Sequence, residues 1–284
     1  MMIKHLSTKE TLKNRITIVL LYLVLAISLL IVVFPFVWMF LTSIKTVDEV
    51  RDFIFLPQSP QWENYLTVTQ KVDIPNSMLN TLIVAFAQIP TGLFFSAMAA
   101  YSFSKLKLKH KTAKFMTIMS AMMMPYAAIM LPQYQIFRSL NLLNTLFPLF
   151  LPGMFGNTVA MFFFMQYMES ISNSYLEAAK MDGAGNWRIM LGIVFPLVRV
   201  QFAILFVLGF IGSWNTYMLS ITVMPSWPTL ASALFTFREL TTNAVSWPPI
   251  QLAASMIVAL PCVVIYCFMS PFLIGNLTVG GLKG

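Results

Sequence analysis

Charge is what this sequence has least of. Only 10% of its 284 residues are Asp, Glu, Lys or Arg, against about 25% in an ordinary soluble chain. With 58% hydrophobic residues and a mean hydropathy of +0.77, a soluble domain is excluded and a polytopic membrane protein is implied. Cysteine is almost absent: Cys262 and Cys267 share the last apolar run, point to different helix faces and form no disulfide. The two histidines, His5 and His110, lie among lysines. Without a His or Cys cluster, the 21 methionines, Met122-Met123-Met124 included, read as packing residues rather than copper ligands. No Ser/His/Asp or Cys/His set and no metal-ligand cluster is present, so no catalytic residue and no cofactor or metal site is expected in this chain. A phosphate-binding loop is missing too. The nearest spacing, Gly275 to Gly280 followed by Gly281-Leu282, lacks the lysine and the preceding strand. No long alternating pattern marks a β-barrel.

What is present is a series of apolar runs. Residues 1–15 are polar. A first transmembrane helix is expected over 16–43, longer than the apolar region of a signal peptide and therefore uncleaved. Pro35 and Trp38 supply a kink and an interfacial anchor near its end. Residues 44–76 are polar and broken by Pro57, Pro60 and Pro75. Further spans are expected at about 78–103, 115–131, 146–167, 197–223 and 250–274, giving an all-α membrane protein with six transmembrane helices. Six spans put both termini on one side. Thirteen of the 18 basic residues fall on that side, among them the run Lys105 to Lys114, and five on the other. The positive-inside rule makes the termini, the basic loop and the loop at 168–196 cytoplasmic. The net charge of +8 therefore faces membrane lipid, not nucleic acid.

The loop at 168–196 is the most structured of the connections. Ser174 stands three residues before Glu177, the spacing of a capping box, so a short helix is expected over 175–182. Gly183 and Gly185 end it in the left-handed conformation, and Asn186 caps a second helix running toward Pro196. A helical elbow of this kind is more than a connection needs, and is built to be gripped. Its residues resemble the cytoplasmic loop signature of the permease subunits of binding-protein-dependent ATP-binding-cassette (ABC) importers: Glu177-Ala178-Ala179, Gly183, Ile193 and Pro196 stand at the family's spacings, with Phe195 where Leu is usual. Asn76-Ser77 with Asn80-Thr81, the run Ala100 to Lys105, Leu140 to Thr145, Trp214-Asn215 and the ending Gly280 to Gly284 are similar to the smaller permease of carbohydrate importers in particular.

The resemblance implies a type I importer permease in a bacterial inner membrane, with the transporter domain at 76–275 and a cytoplasmic tail at 276–284 that touches the ATPase pair. It implies a second homologous permease, two cytoplasmic ATPase subunits that bind ATP and Mg, and an extracytoplasmic sugar-binding protein. Glu177, Ala178, Ala179, Asp182, Gly183, Ile193 and Pro196 would couple the chain to the ATPase. The neutral polar groups Asn80, Gln88, Ser213, Asn215, Tyr217 and Gln251 admit two readings. One is interhelical hydrogen bonding, worth about 0.6 kcal/mol each. The other is a translocation path in which such groups, foremost Asn80, Gln88, Asn215 and Tyr217, exchange hydrogen bonds with sugar hydroxyls, with Trp214 stacking on the rings. The outer loop at 225–249 has apolar residues at helical spacing between Leu230 and Leu240. It reads either as an interfacial helix anchored by Trp227 and Trp247 or, by the resemblance, as the segment that enters the binding protein with Thr241, Thr242 and Asn243 near its tip. The alternatives to an importer subunit are a self-contained transporter or channel, and a membrane scaffold.

Overall fold

The computed structural model describes residues 2–226, 228–241 and 247–274; for 2–14, 16, 239–241, 247 and 272–274 it describes the backbone only. Its elements are α1 (Met2–Ser43), α2 (Val47–Arg51), α3 (Glu63–Lys71), α4 (Ile74–Lys105), α5 (Lys111–Ser120), a 3₁₀ turn (Ala121–Met123), α6 (Tyr126–Ser139), α7 (Phe147–Met154), α8 (Thr158–Ser170), α9 (Asn173–Met181), α10 (Asn186–Ile189), a π-helical turn (Met190–Val194), α11 (Phe195–Leu197), α12 (Arg199–Trp214), α13 (Met218–Val223), α14 (Leu230–Thr241) and α15 (Trp247–Ile274). There is no strand among the described residues. Among the described residues four helices are long and apolar enough to cross a membrane, and up to six if each of two bent pairs counts as one span. The chain divides into two compact units, 1–70 with 241–257 and 71–240 with 258–284.

In the first unit, α1 begins at Met2, well before the apolar run, and its stretch from Thr17 to Val37 is exposed, hydrophobic on all sides as a lipid-facing helix is. The polar segment after it is folded. Thr46 and Glu49 form a capping box on α2, and Glu49 also accepts from the Gln58 and Ser59 amides at 2.7 and 3.2 Å. These donors, the Thr46 amide first, hold its carboxyl below the usual range. Lys45 is buried with its ammonium 4.7 Å from the centre of the Trp38 ring. The Asn64 amide nitrogen donates to the carbonyls of Ser43 and Lys45.

The second unit is built on α4, which packs along α7, α8 and α12. Asp73 caps it, accepting the Asn76 amide at 3.2 Å, and Pro75 occupies the first turn, where its missing N–H costs nothing. Its buried face runs through Thr81, Ala85, Ile89, Gly92, Ser96 and Tyr101. Three expected spans differ from straight rods. The third is a right-angled pair: α5 with the 3₁₀ turn meets α6 at 92°. The break falls at Met124, which Pro125 keeps in the extended region. The fourth is interrupted at 155–157, where Gly156 takes φ +124°. The Ser96 hydroxyl mends that break by accepting the Asn157 amide at 2.7 Å, while donating to the Gly92 carbonyl at 2.7 Å. The fifth ends at Trp214 and resumes as α13.

In the outer connection, one face of α14 packs against the rest of the second unit. Along α14, Leu230, Ser232, Ala233, Leu234 and Phe237 are buried, and Phe235 stacks on Tyr217 with ring centres 4.6 Å apart. Its helical spacing serves packing within the chain.

Candidate functional site

Two features of the second unit are candidates: the elbow between α8 and α12, and a cavity among α4, α6, α7, α8 and α12.

The elbow starts two residues earlier than its spacing predicts. Ser172, not Ser174, caps α9, accepting the Ser174 amide at 3.3 Å, and the two serine hydroxyls lie 2.8 Å apart. With Ser172 as cap, the third helical residue is Tyr175, so Glu177 takes no part in a box. Leu176 and Ala179 turn inward, leaving Tyr175, Glu177, Ala178 and Met181 exposed, Met181 at 89%. Of the residues expected to couple to the ATPase, Ala179 lies on the inward face. The helix closes in a Schellman turn: the Gly183 amide donates to Lys180 and the Ala184 amide to Ala179, at 3.0 and 2.9 Å. Gly183 takes φ +79°, as that turn requires, and Gly185 keeps φ −73° and is ordinary backbone. Gly185 rather than Asn186 holds the cap position of α10. Asp182 is exposed at the turn, Ile193 is half-buried and Pro196 exposed. Where one second helix is expected, α10 widens into a π-helical turn and meets α12 at 72°.

The cavity holds about 560 Å³. Its walls carry Gln88, Gln133, Asn157, Ser213, Thr216 and Thr229 beside Leu93, Leu149, Phe163 and Leu205, and no lining residue is Asp, Glu, Lys, Arg or His. Gln133 Oε1 and Ser213 Oγ are buried without a hydrogen-bond partner among the described residues, so each can accept a hydrogen bond from a guest's hydroxyl. Of the six neutral polar groups singled out in the sequence, Gln88 and Ser213 line it. The Asn80 amide donates to the Pro228 carbonyl at 3.3 Å. Trp214 is 1% exposed, stacked on Phe210, and its indole N–H donates to the Val258 carbonyl at 3.0 Å, so its face is closed to a sugar ring. Asn215 donates back to the Ile211 carbonyl, ending α12. Gln251 belongs to the first unit. Gln133 escapes sequence reading because the third span is expected to stop at Leu131. Asn157 carries a readable signal: Gly156-Asn157 inside an apolar run is a stop followed by a cap. Thr242, Asn243, Trp227 and the tail 276–284 lie outside the described residues, and Thr241 is described by its backbone alone.

A model of the family described as binding-protein-dependent transport system inner membrane component matches residues 92–272. The chain is similar to a lactose transport system permease protein of Rhizobium radiobacter, 28% identical over 216 residues, 76% of this chain and 79% of that one. It is similar also to an arabinooligosaccharides transport system permease protein of Halalkalibacterium halodurans, 27% identical over 259 residues, 89% and 92% of the two chains. Among solved structures, a chain of a bacterial ABC transporter involved in the import of the acidic polysaccharide alginate superposes with a TM-score of 0.72 at 24% identity, covering 91% of this chain and 96% of that one, which establishes the fold.

Proposed function

Because the chain belongs to the family of binding-protein-dependent transport system inner membrane components, we propose that it is one of two permease subunits of an ATP-driven sugar importer. It is a transport permease and not an enzyme; hydrolysis of ATP with Mg falls to a pair of ABC ATPases on the cytoplasmic side. A second, homologous permease completes the path, and an extracytoplasmic binding protein delivers the sugar. The transporter domain spans 76–275, both termini and the elbow face the cytoplasm, and the outer connection with Thr241, Thr242 and Asn243 meets the binding protein.

One observation carries the reading: the exposed elbow is continuous at both ends with helices that wall the cavity, α8 before it and α12 after it. A force on α9 has a covalent route to both walls. Exposed Glu177, Ala178 and Asp182 meet the ATPase, Gly183 makes the turn, and Ile193 and Pro196 carry the chain back to α12. The neutral walls suit a sugar, whose hydroxyls exchange hydrogen bonds with Gln88, Gln133 and Ser213 without any charge to neutralise.

The test is co-purification. Glu177→Lys reverses a contacting charge, and Gly183→Asp puts a side chain at φ +79°, where it is strained, and adds a charge. Both variants should reach the membrane at normal abundance and lose most of the bound ATPase. Full ATPase recovery with both would refute the docking assignment.

A further inference from the structure

We infer that Lys105 is a positioning residue that splints the joint between α8 and α9, so that displacement of the elbow is delivered to the cavity walls instead of being absorbed in that joint. The inference rests on the elbow being the docking point.

The joint is the weak link of the connection. α8 ends at Ser170, and Ile171 and Ser172 are extended, with ψ of 128° and 136°, before α9 begins. Two extended residues between helices can swing on their dihedrals, and a push on α9 could be spent there. α4 and α8 themselves cannot slide easily. They pack together along their length, and Ser96 ties Gly92 of α4 to Asn157 at the start of α8.

Lys105, the last residue of α4, closes the gap. Its ammonium donates to the Ile171 carbonyl at 2.6 Å and to the Asn173 side-chain oxygen at 3.1 Å. One acceptor precedes Ser172 and the other follows it, so the joint is bridged from outside by a group belonging to a cavity-lining helix. An ammonium suits the place, because the carbonyl ends of both α4 and α8 converge there and favour a cation. Both bonds are charge-assisted, stronger than neutral ones. From Lys105 back to the cavity-lining Leu93 is twelve residues of helix, about 18 Å. A rigid helix carries the displacement over that span. The neighbouring pair Lys111–Glu169, 3.6 Å apart and 43% exposed on each side, also crosses from α5 to α8 but does not span the joint, and a surface pair contributes little.

The experiment uses the complete transporter in vesicles and needs no sugar. In a background with Cys262 and Cys267 changed to alanine, Ser213→Cys reports cavity access to a water-soluble maleimide. Trapping the ATPase with ATP and vanadate should change the labelling rate when Lys105 is present. With Lys105→Met, which keeps the stem and removes the charge, the ATPase should stay bound and hydrolysing while that change shrinks by about tenfold or more, since two charge-assisted hydrogen bonds are lost. Lys105→Arg, which can still reach both acceptors, should restore most of it. An undiminished labelling change with Lys105→Met would overturn the proposal. If Lys105→Met does not assemble, Asn173→Ala removes one arm alone and is read the same way. Loss of the docking assignment would show differently, as ATPase retained by Glu177→Lys and Gly183→Asp.

Discussion

At Gly92 a β-carbon would overlap the Gly153 carbonyl oxygen, a backbone atom that cannot rotate away, whereas at Gly153 it would meet the side-chain amide of Gln88, which can. The two glycines sit at the same crossing of α4 and α7 yet have different jobs. Gly92 sets how closely the helices approach; Gly153 leaves room for Gln88 to lie across the wall of the cavity. Gly92→Ala must push the helices apart and should cost about 1–3 kcal/mol, seen as a lower unfolding temperature of the purified complex. Gly153→Ala should leave that temperature nearly unchanged while displacing Gln88, and so lower ligand-stimulated turnover. Equal thermal losses in the two variants would contradict this division. The sequence showed neither role, because a glycine in an apolar run looks alike whether it admits a backbone or a side chain. Gly183 was legible, since a glycine after a short amphipathic helix has one common use. Ser172 was not: Ser172 and Ser174 compete for the same cap, and the signature favoured the one with Glu177 three residues on. The same signature at Thr46 and Glu49 is a true box.

Among the elements, α14 shows best how polar groups are used. At its start a distant side chain on α4 takes part in the capping: the Leu230 amide donates to Thr81 Oγ1 at 2.8 Å. Around it Ser220, Thr229 and Ser232, all at most 4% exposed, join in a hydroxyl cluster, with Ser220 and Ser232 oxygens 2.9 Å apart and Thr229 and Ser232 at 3.1 Å. Thr81 and Thr229 also line the cavity, so the outer helix is moored to the cavity wall. Thr81→Val keeps the shape and strands a buried amide, which costs about 1–3 kcal/mol. Hydrogen exchange at the first turn of α14 should accelerate correspondingly, with α12 unaffected; unchanged exchange at α14 would mean the cap is dispensable. Element order was readable from apolar runs and prolines. The bends were not, because hydropathy is summed along the chain and is blind to direction: α5 and α6 together pass as one span until the 92° angle is seen.

For the whole molecule the question is where the energy for transport enters. The cavity walls hold no ionisable acid or base of the kind that couples a proton or cation gradient, and burying one there would cost about 2.5–3.5 kcal/mol on insertion scales. The sequence made that much legible through its scarcity of charge. It did not reveal which neutral groups face the cavity, since Trp214, Asn215 and Asn80 are spent on internal hydrogen bonds while Gln133 lay beyond the expected end of a span. If the elbow is the docking point proposed above, work supplied by a partner enters there. Vesicles containing this chain alone should therefore take up no lactose, arabinotriose or raffinose under an imposed proton or sodium gradient. The complete assembly, offered a sugar its binding protein recognises, should do so when ATP is supplied on the elbow side and fail when ATP is confined to the other. Gradient-driven uptake by the isolated chain would assign it to the self-contained transporters. Uptake fuelled from the opposite side would reverse the orientation inferred from its basic residues.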